Sequence, residues 1–397
     1  MSRRHHVDWI KAYMEYTSYL EAPDQFHFWT AVSTIAGALR RKVRFDQIHY
    51  RWSPNFYIIL VAPPGIIAKS TTANVGISLL VELEIPLGPN ALTWQKLPSA
   101  LENARVDVVQ PDGSFDPMCC LTFSASELGT FMDPSDRAMV DLLVDLWDSK
   151  DGAWTKATKT QGEDMVINPW LNIIACTTPS WLAQNFPRSL VGGGFTSRCL
   201  FVFGDAKRKI VAYPRKMMES NAKDYHALRT SLIEDLAQIS SIKGEYVLTP
   251  AAEEWGSAWY NKHSVEQQIS SDESGFAART QCHSHKLAMV IAASQRDELL
   301  ITQEDLEHAT ILVEEIGANL PRVFRAVHTK EDQIEVEQIF RYVQAASDKS
   351  MTKIDLYRNF RHMMSWQKFE EAITAGINSG YLELLADGNA LNVRYKG

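Results

Sequence analysis

The sequence has no apolar run long enough to span a bilayer, since its longest, such as 56–62, fall far short of the roughly 20 residues required. The opening stretch, MSRRHHVDWIKAYMEY, lacks the apolar core of a secretory leader, so a cytoplasmic chain with no membrane association is expected. Cysteine is scarce, with five in 397 residues. Cys119, Cys120, Cys176 and Cys199 lie in apolar strand-like runs and Cys282 in a helical one. No pair has zinc-site spacing, so they read as small core residues in a reducing compartment. An excess of positive charge is also missing. The formal net charge of −8 argues against a protein coated for nucleic acid and leaves room only for a local basic surface. There is no internal repeat and no low-complexity tract.

What is present is an ordinary globular composition, 45% hydrophobic and 22% charged, in a chain long enough for more than one folding unit. Its most telling stretch is 61-VAPPGIIAKSTT-72. A phosphate-binding loop uses glycine, four residues and then Gly-Lys-Ser/Thr, so that backbone N–H groups cradle phosphates while lysine and hydroxyl reach the γ-phosphate and Mg2+. Lys69 and Ser70 stand where those roles need them, but Ala68 replaces the second glycine and Pro63 the first. Aligning Pro63-Pro64-Gly65 with a Pro-Pro-Gly form of the loop instead implies one inserted residue, Ile66 or Ile67. The context is that of a buried strand, 55-NFYIILVA-62, a tight turn and an amphipathic helix over 70–84, which together present a helix N-terminus to an anion. The alternative is an ordinary strand-to-helix connection.

Helical periodicity over 7–41 gives a helical N-terminal segment, 1–50. Strands are expected over 118–129, 171–178 and 196–205, with a helix over 137–147 and a hairpin over 152–170 that turns at Gln161-Gly162. The pattern from 225 to 328 is almost wholly helical, with Thr249-Pro250 and Thr302 as helix starts. Residues 329–397 carry three helices and a hairpin around Asp387-Gly388, the winged-helix pattern. Strands alternating with helices after a phosphate loop argue for a mainly parallel α/β sheet with ligand groups at the strand C-termini.

Polar residues sit at those ends. Ser126-Glu127 closes one strand, with Glu127 as candidate base or water-positioner and a helix-capping carboxylate as its alternative. Thr177-Thr178 closes another, where a sensor of the γ-phosphate would lie, or else a simple turn and cap. Arg198, after a glycine run in 192-GGGFTSRCLFVF-203, suits an arginine finger reaching a neighbouring subunit's ATP, or a structural ion pair. His283 and His285 read as core or solvated histidines, and His5-His6 as part of a loose start.

The ordered set SPNFYIILVAPPG..KSTT, SASELG, the Trp147/Trp154 segment, NIIACTTPSWL, GGGFTSRCLFVF and ARTQCHSHKLAMVIA resembles P-loop ATPases of phages, plasmids and integrated elements. These are often found with primases and are similar to superfamily 3 and MCM-type AAA+ replicative helicases. The resemblance covers about 25–325. It implies an AAA+-type P-loop ATPase core over 51–328 with a helical N-terminal cap and a C-terminal winged-helix domain. It implies ATP and Mg2+ as cofactors, bound by Pro64, Gly65, Ile66, Ile67, Ala68, Lys69, Ser70 and Thr71, with Ser70 on the metal. Glu127 would be Walker B, with Ser126 where relatives carry Asp, Thr178 or Thr177 sensor 1, and Arg279 sensor 2. The hairpin would enter a ring's pore, placing Trp154, Lys156 and Lys159 on single-stranded DNA. Arg358, Arg361 and Lys368 would touch phosphates of DNA, double-stranded as well as single-stranded, unless that domain serves only for protein packing. The expected activity is an ATP-driven helicase or translocase working as a hexameric homo-oligomer in replication of a mobile element, with any primase a separate chain. The alternative is an ATP-switched initiator or regulator that binds DNA without unwinding it.

Overall fold

The computed structural model describes residues 4–109, 113, 115–158, 162–219, 222–269, 275–346, 349–378, 382–387 and 390–396. The chain divides into two compact units, 1–324 and 325–397.

The first unit is α/β. It opens with α1 (Trp9–Tyr16) and α2 (Asp24–Leu39), then β1 (Val43–Asp46), β2 (Arg51–Trp52) and β3 (Tyr57–Val61). After the loop come α3 (Lys69–Glu82), α4 (Lys96–Asn103), β4 (Arg105–Val109), β5 (Phe115–Ala125), α5 (Leu128–Phe131) and α6 (Arg137–Trp147). The hairpin β6 (Ala153–Thr158) and β7 (Gly162–Ile167) leads into β8 (Pro169–Thr177), α7 (Pro179–Asn185), α8 (Arg188–Val191) and β9 (Cys199–Phe203). Then follow α9 (Pro214–Glu219), α10 (Ala222–Ser241), β10 (Gly244–Leu248), α11 (Pro250–Ile269), α12 (Thr280–Gln295), β11 (Leu300–Ile301) and α13 (Gln303–Ala345), which crosses the unit boundary.

The larger sheet has the order β4-β5-β8-β3-β9. β5, β8, β3 and β9 are parallel and β4 is an antiparallel edge. Every residue of β3 and β8 is buried, as expected of parallel strands covered on both faces. α2 fills one of those covers. Thirteen of its sixteen residues are buried, so it is apolar around its circumference rather than along one stripe. It meets α3 at two glycines: a Cβ on Gly37 would lie 2.8 Å from Leu80 Cδ1, and one on Gly76 would lie 2.3 Å from Thr34 Oγ1 and 2.7 Å from Thr30 Cγ2. Both threonine hydroxyls are committed, Thr30 donating to the Phe26 carbonyl at 2.7 Å and Thr34 to the Thr30 carbonyl at 2.8 Å.

A smaller sheet, β11-β10-β1-β2, places two short strands, β10 and β11, within the 225–328 region expected to be almost wholly helical. β10 alternates in burial around Tyr246 and finds its partner in β1, about 200 residues earlier, a pairing that local periodicity does not register. The lead-in 1–50 likewise holds a strand besides its helices. Both expected helix starts are present. Thr249 Oγ1 accepts from Ala252 N, and Thr302 exchanges hydrogen bonds with Asp305, N to Oδ2 at 2.8 Å and Oγ1 from N at 3.3 Å.

The second unit holds the end of α13, then β12 (Ser350–Thr352), α14 (Lys353–Phe360), α15 (Trp366–Asn378), β13 (Leu382–Asp387) and β14 (Ala390–Tyr395). Its core gathers Ile339, Val343, Leu356, Phe360, Phe369 and Ile373. The sequence suggests a two-stranded hairpin, but β12 adds a third antiparallel strand against β14.

Gly76→Ala is expected to destabilise the first unit by about 1–3 kcal/mol, because the fixed threonines of α2 cannot yield to a methyl group without rotamer strain. A chemical denaturation midpoint equal to that of the wild type would contradict this packing.

Candidate functional site

Parallel pairing carries the C-terminal ends of β3, β5, β8 and β9 to one edge of the sheet. Val61 is level with Thr177 on one side and Phe203 on the other, and Ala125 is level with Ala175. Beyond Val61 the chain turns through Pro64 and Gly65, whose φ of +74° is a left-handed conformation that glycine adopts without strain. Ile67 is buried and pins the loop, while Ile66 is half exposed. The chain then enters α3 directly. Its N-cap, Ala68, offers no side chain to the first-turn N–H groups, and no acidic residue lies in that turn.

Lys69 occupies the first position of α3 and is only 7% exposed. Its Nζ donates to the Ala62 carbonyl at 3.0 Å, its one hydrogen bond among the described residues. A buried cation at a helix N-terminus repels the macrodipole there, and two of its donor positions remain unfilled. The Ser70 and Thr71 hydroxyls beside it have no partner among the described residues. Thr177 Oγ1 is buried and unpartnered as well. Thr178, by contrast, is occupied: it caps α7, accepting from Trp181 N at 3.1 Å and pairing with Ser180 Oγ. Of the two threonines, Thr177 is therefore the one with a free hydroxyl. Glu127 and Ser126 are exposed at the end of β5. Glu127 stands at the N-cap position of α5 without making a side-chain cap bond, so the capping alternative is not realised. Burial pushes the Cys176 thiol up to about 12, with Lys69 pulling it down and Glu127 pushing it up. Lysine and carboxylate thus flank the same strand end.

Arg198 and Arg279 are not at this edge. Arg198 precedes Cys199, which pairs with Tyr57 at the start of β3, so it lies roughly 20 Å from the lysine edge along the strands. It is 6% exposed, donating through Nη1 to the Gly194 carbonyl at 2.9 Å and through Nη2 to Asp148 Oδ1 and Oδ2 at 3.2 and 3.3 Å. Arg279 approaches the same carboxylate at 3.9 Å. Both guanidinium groups lie over the Trp147 ring, at 5.4 and 5.3 Å from its centroid. A third cation, Lys286, is 1% exposed, has Nζ 3.5 Å from that centroid and donates to Asn55 Oδ1 at 2.8 Å. Three cations thus share one indole, and two of them one carboxylate, beside a cleft of about 710 Å3 that Arg279, Asp148 and Lys286 line. Burial, aided by Arg198, holds the Arg279 pKa below its ordinary value. Lys286 has one signal in the sequence, as a lone cation immediately before the apolar helical run 287-LAMVIA-292. His283 and His285 are buried, with burial pushing their pKa values down to about 3 and about 4, so both are neutral.

Trp154 donates its Nε1 to Asp145 Oδ2 at 2.6 Å and is half buried, which ties the base of the hairpin to α6. Lys159 and the side chain of Lys156 lie outside the described residues, as does the hairpin turn. In the second unit Arg358 is paired with Asp355 at 2.7 Å on its own helix, while Arg361 is exposed and Lys368 is half-buried. No group of three or more metal-ligating side chains occurs among the described residues. No described helix is long and apolar enough to cross a membrane.

A scan against protein-family models and a search of curated proteins find no match to this sequence.

The lysine edge combines unfilled lysine donors, an uncapped helix start, free hydroxyls and a carboxylate. That set can hold a polyphosphate and orient a water against it.

Thr177→Val is expected to raise stability by about 1 kcal/mol, since it removes a buried hydroxyl that has no partner. A loss of stability would mean that the hydroxyl is satisfied within the fold. A second expectation concerns pH. Burial draws the Lys286 pKa from 10.5 down to about 8, against the opposing pull of Cys282 and Asp148. Between those values the unfolded chain binds the proton more tightly, so wild-type stability should rise with pH relative to Lys286→Met. A difference between the two proteins that stays flat from pH 8 to 10.5 would contradict this.

Proposed function

We propose that the first unit binds Mg-ATP at the lysine edge and hydrolyses it, and that the chain works as an AAA+-type helicase or translocase ring on DNA. The observation that carries this reading is Lys69, a buried lysine held at the uncapped start of α3 with donors to spare. Such a cation is stabilised by the β- and γ-phosphates of a nucleotide, which also suit the backbone N–H groups of 68–71. Mg2+ would neutralise phosphate charge, with the Ser70 hydroxyl as its protein ligand. Glu127 would orient the attacking water, and Thr177, the free one of the threonine pair, would hold the γ-phosphate oxygens.

The position of Arg198 and Arg279 at the far edge supports assembly. One chain cannot bring them to its own Lys69, whereas a neighbouring copy set edge to edge can. Asp148 would release one of its two guanidinium groups to the incoming phosphate. The second unit, three helices with a three-stranded sheet, fits a winged helix that touches DNA through Arg361 and Lys368. Ser126 in place of a second carboxylate favours slow turnover, the feature that an ATP-switched initiator would share.

Lys69→Ala should lose DNA-stimulated ATP hydrolysis by about a hundredfold or more. Equal turnover in mutant and wild type would sink the site assignment, and nucleotide binding without turnover in the wild type would favour the switch. Arg198→Ala should bind nucleotide yet fail to hydrolyse it, and mixing it with Lys69→Ala subunits should restore part of the activity. Unrecovered activity in the mixture would rule out a shared site.

A further inference from the structure

The segment that follows β9, 207-KRKIVAYPRK-216, has five lysines or arginines in ten residues and no acidic residue, in a chain whose net charge is −8. It leaves the sheet at the lysine edge, since Gly204 N donates to the Val61 carbonyl at 2.9 Å. It is also firmly clamped. Arg208 donates from Nε to the Leu20 carbonyl at 2.9 Å, from Nη1 to Asp24 Oδ1 at 2.6 Å and from Nη2 to the Thr17 carbonyl. Glu21 accepts from Lys207 Nζ at 2.5 Å and from Val211 N at 2.8 Å. Lys207 and Arg208 are therefore spent on fixing the loop to the α1–α2 connection.

What this clamp holds outward is apolar and basic together. Ile210 is 87% exposed and Tyr213 is 68% exposed, with Lys216 Nζ 5.4 Å from the tyrosine centroid. Lys209 and Lys216 have no ion pair among the described residues, and Arg215 is exposed beside them. A loop held by so many hydrogen bonds has no folding reason to keep an isoleucine and a tyrosine in water. Lysine is depleted in protein–protein interfaces, whereas cations alternating with an exposed aromatic ring match a strand of phosphates and stacking bases.

We infer that 209–216 is a binding surface for single-stranded nucleic acid, with Tyr213 stacking on a base, Ile210 packing beside it and Lys209 and Lys216 meeting phosphates. The inference rests on the DNA-directed reading above and gives it a contact surface at the edge that carries Lys69.

The test is fluorescence anisotropy with a labelled oligothymidylate, performed on the full chain with and without Mg-ATP. Tyr213→Ala should weaken binding about tenfold, while Tyr213→Phe, which keeps the ring, should bind as the wild type does. Lys209→Ala with Lys216→Ala should lower the slope of log affinity against log salt by about 1.4, at roughly 0.7 per phosphate contact. Tyr213 and Lys216 are exposed and Lys209 is half-buried, and thermal melts of the variants should match the wild type. If the wild type binds the oligonucleotide and all variants bind alike with the same slope, the surface is overturned while the DNA-directed reading stands. If the wild type fails to bind with or without Mg-ATP, both fall. If heparin, a polyanion without bases, binds the wild type and competes for these same residues while Tyr213→Ala leaves oligonucleotide affinity unchanged, the site is a general polyanion patch and the base-stacking assignment is overturned.

Discussion

The parallel pairing of β3 with both β8 and β9 is the constraint on which the rest of this structure depends. Because the three strands run the same way with matched register, every loop that leaves their C-terminal ends collects at one edge, and every segment that enters them collects at the other. That alone divides the chemically promising residues into two groups. Lys69, Glu127 and Thr177 lie at the exit edge, and Arg198, Arg279 and Lys286 near the entry edge. No side-chain motion within one chain bridges roughly 20 Å of sheet. A function that needs both groups has to be shared between copies.

The two edges also differ in how their charges are satisfied. At the exit edge Lys69 has one carbonyl partner and a helix start that repels it. At the entry edge, cations outnumber carboxylates around Trp147, and the indole face takes up part of the difference. Lys286 remains the most costly member, being fully buried, and Asn55 compensates it with a side-chain carbonyl. Asn55 in turn donates to the Trp147 and Leu171 carbonyls at 3.0 and 3.2 Å, so the same residue that receives the lysine also joins α6 to β8. Arg279 lies over the same indole, on the side that lines the cleft.

Much of the fold was legible from local pattern. The apolar runs that became β3, β5, β8 and β9 are continuous because both faces of a parallel sheet are covered, and their polar terminators mark the exit edge. The loop was recognisable by its proline pair, its single glycine and its lysine, and Gly65 does take the left-handed conformation. Less legible were β10 and β11, whose pairing is long-range, and the role of Lys286, whose charge is explained only by what surrounds it. The basic segment 207–216 was visible as composition. Only the clamp on Arg208 and Glu21 reveals which of its residues face solvent.

By itself the sequence determined most of the elements, the order of the long apolar strands along the chain and the chemical types at their ends, because periodicity, caps and turn residues act over a few positions. Tertiary structure alone decided which of those ends meet. It separated Arg198 from Lys69, left Thr177 buried without a partner, and turned Arg198 into the partner of Asp148. Such outcomes depend on contacts between segments 50 to 230 residues apart, and strand pairing in space, not spacing in the chain, sets those contacts.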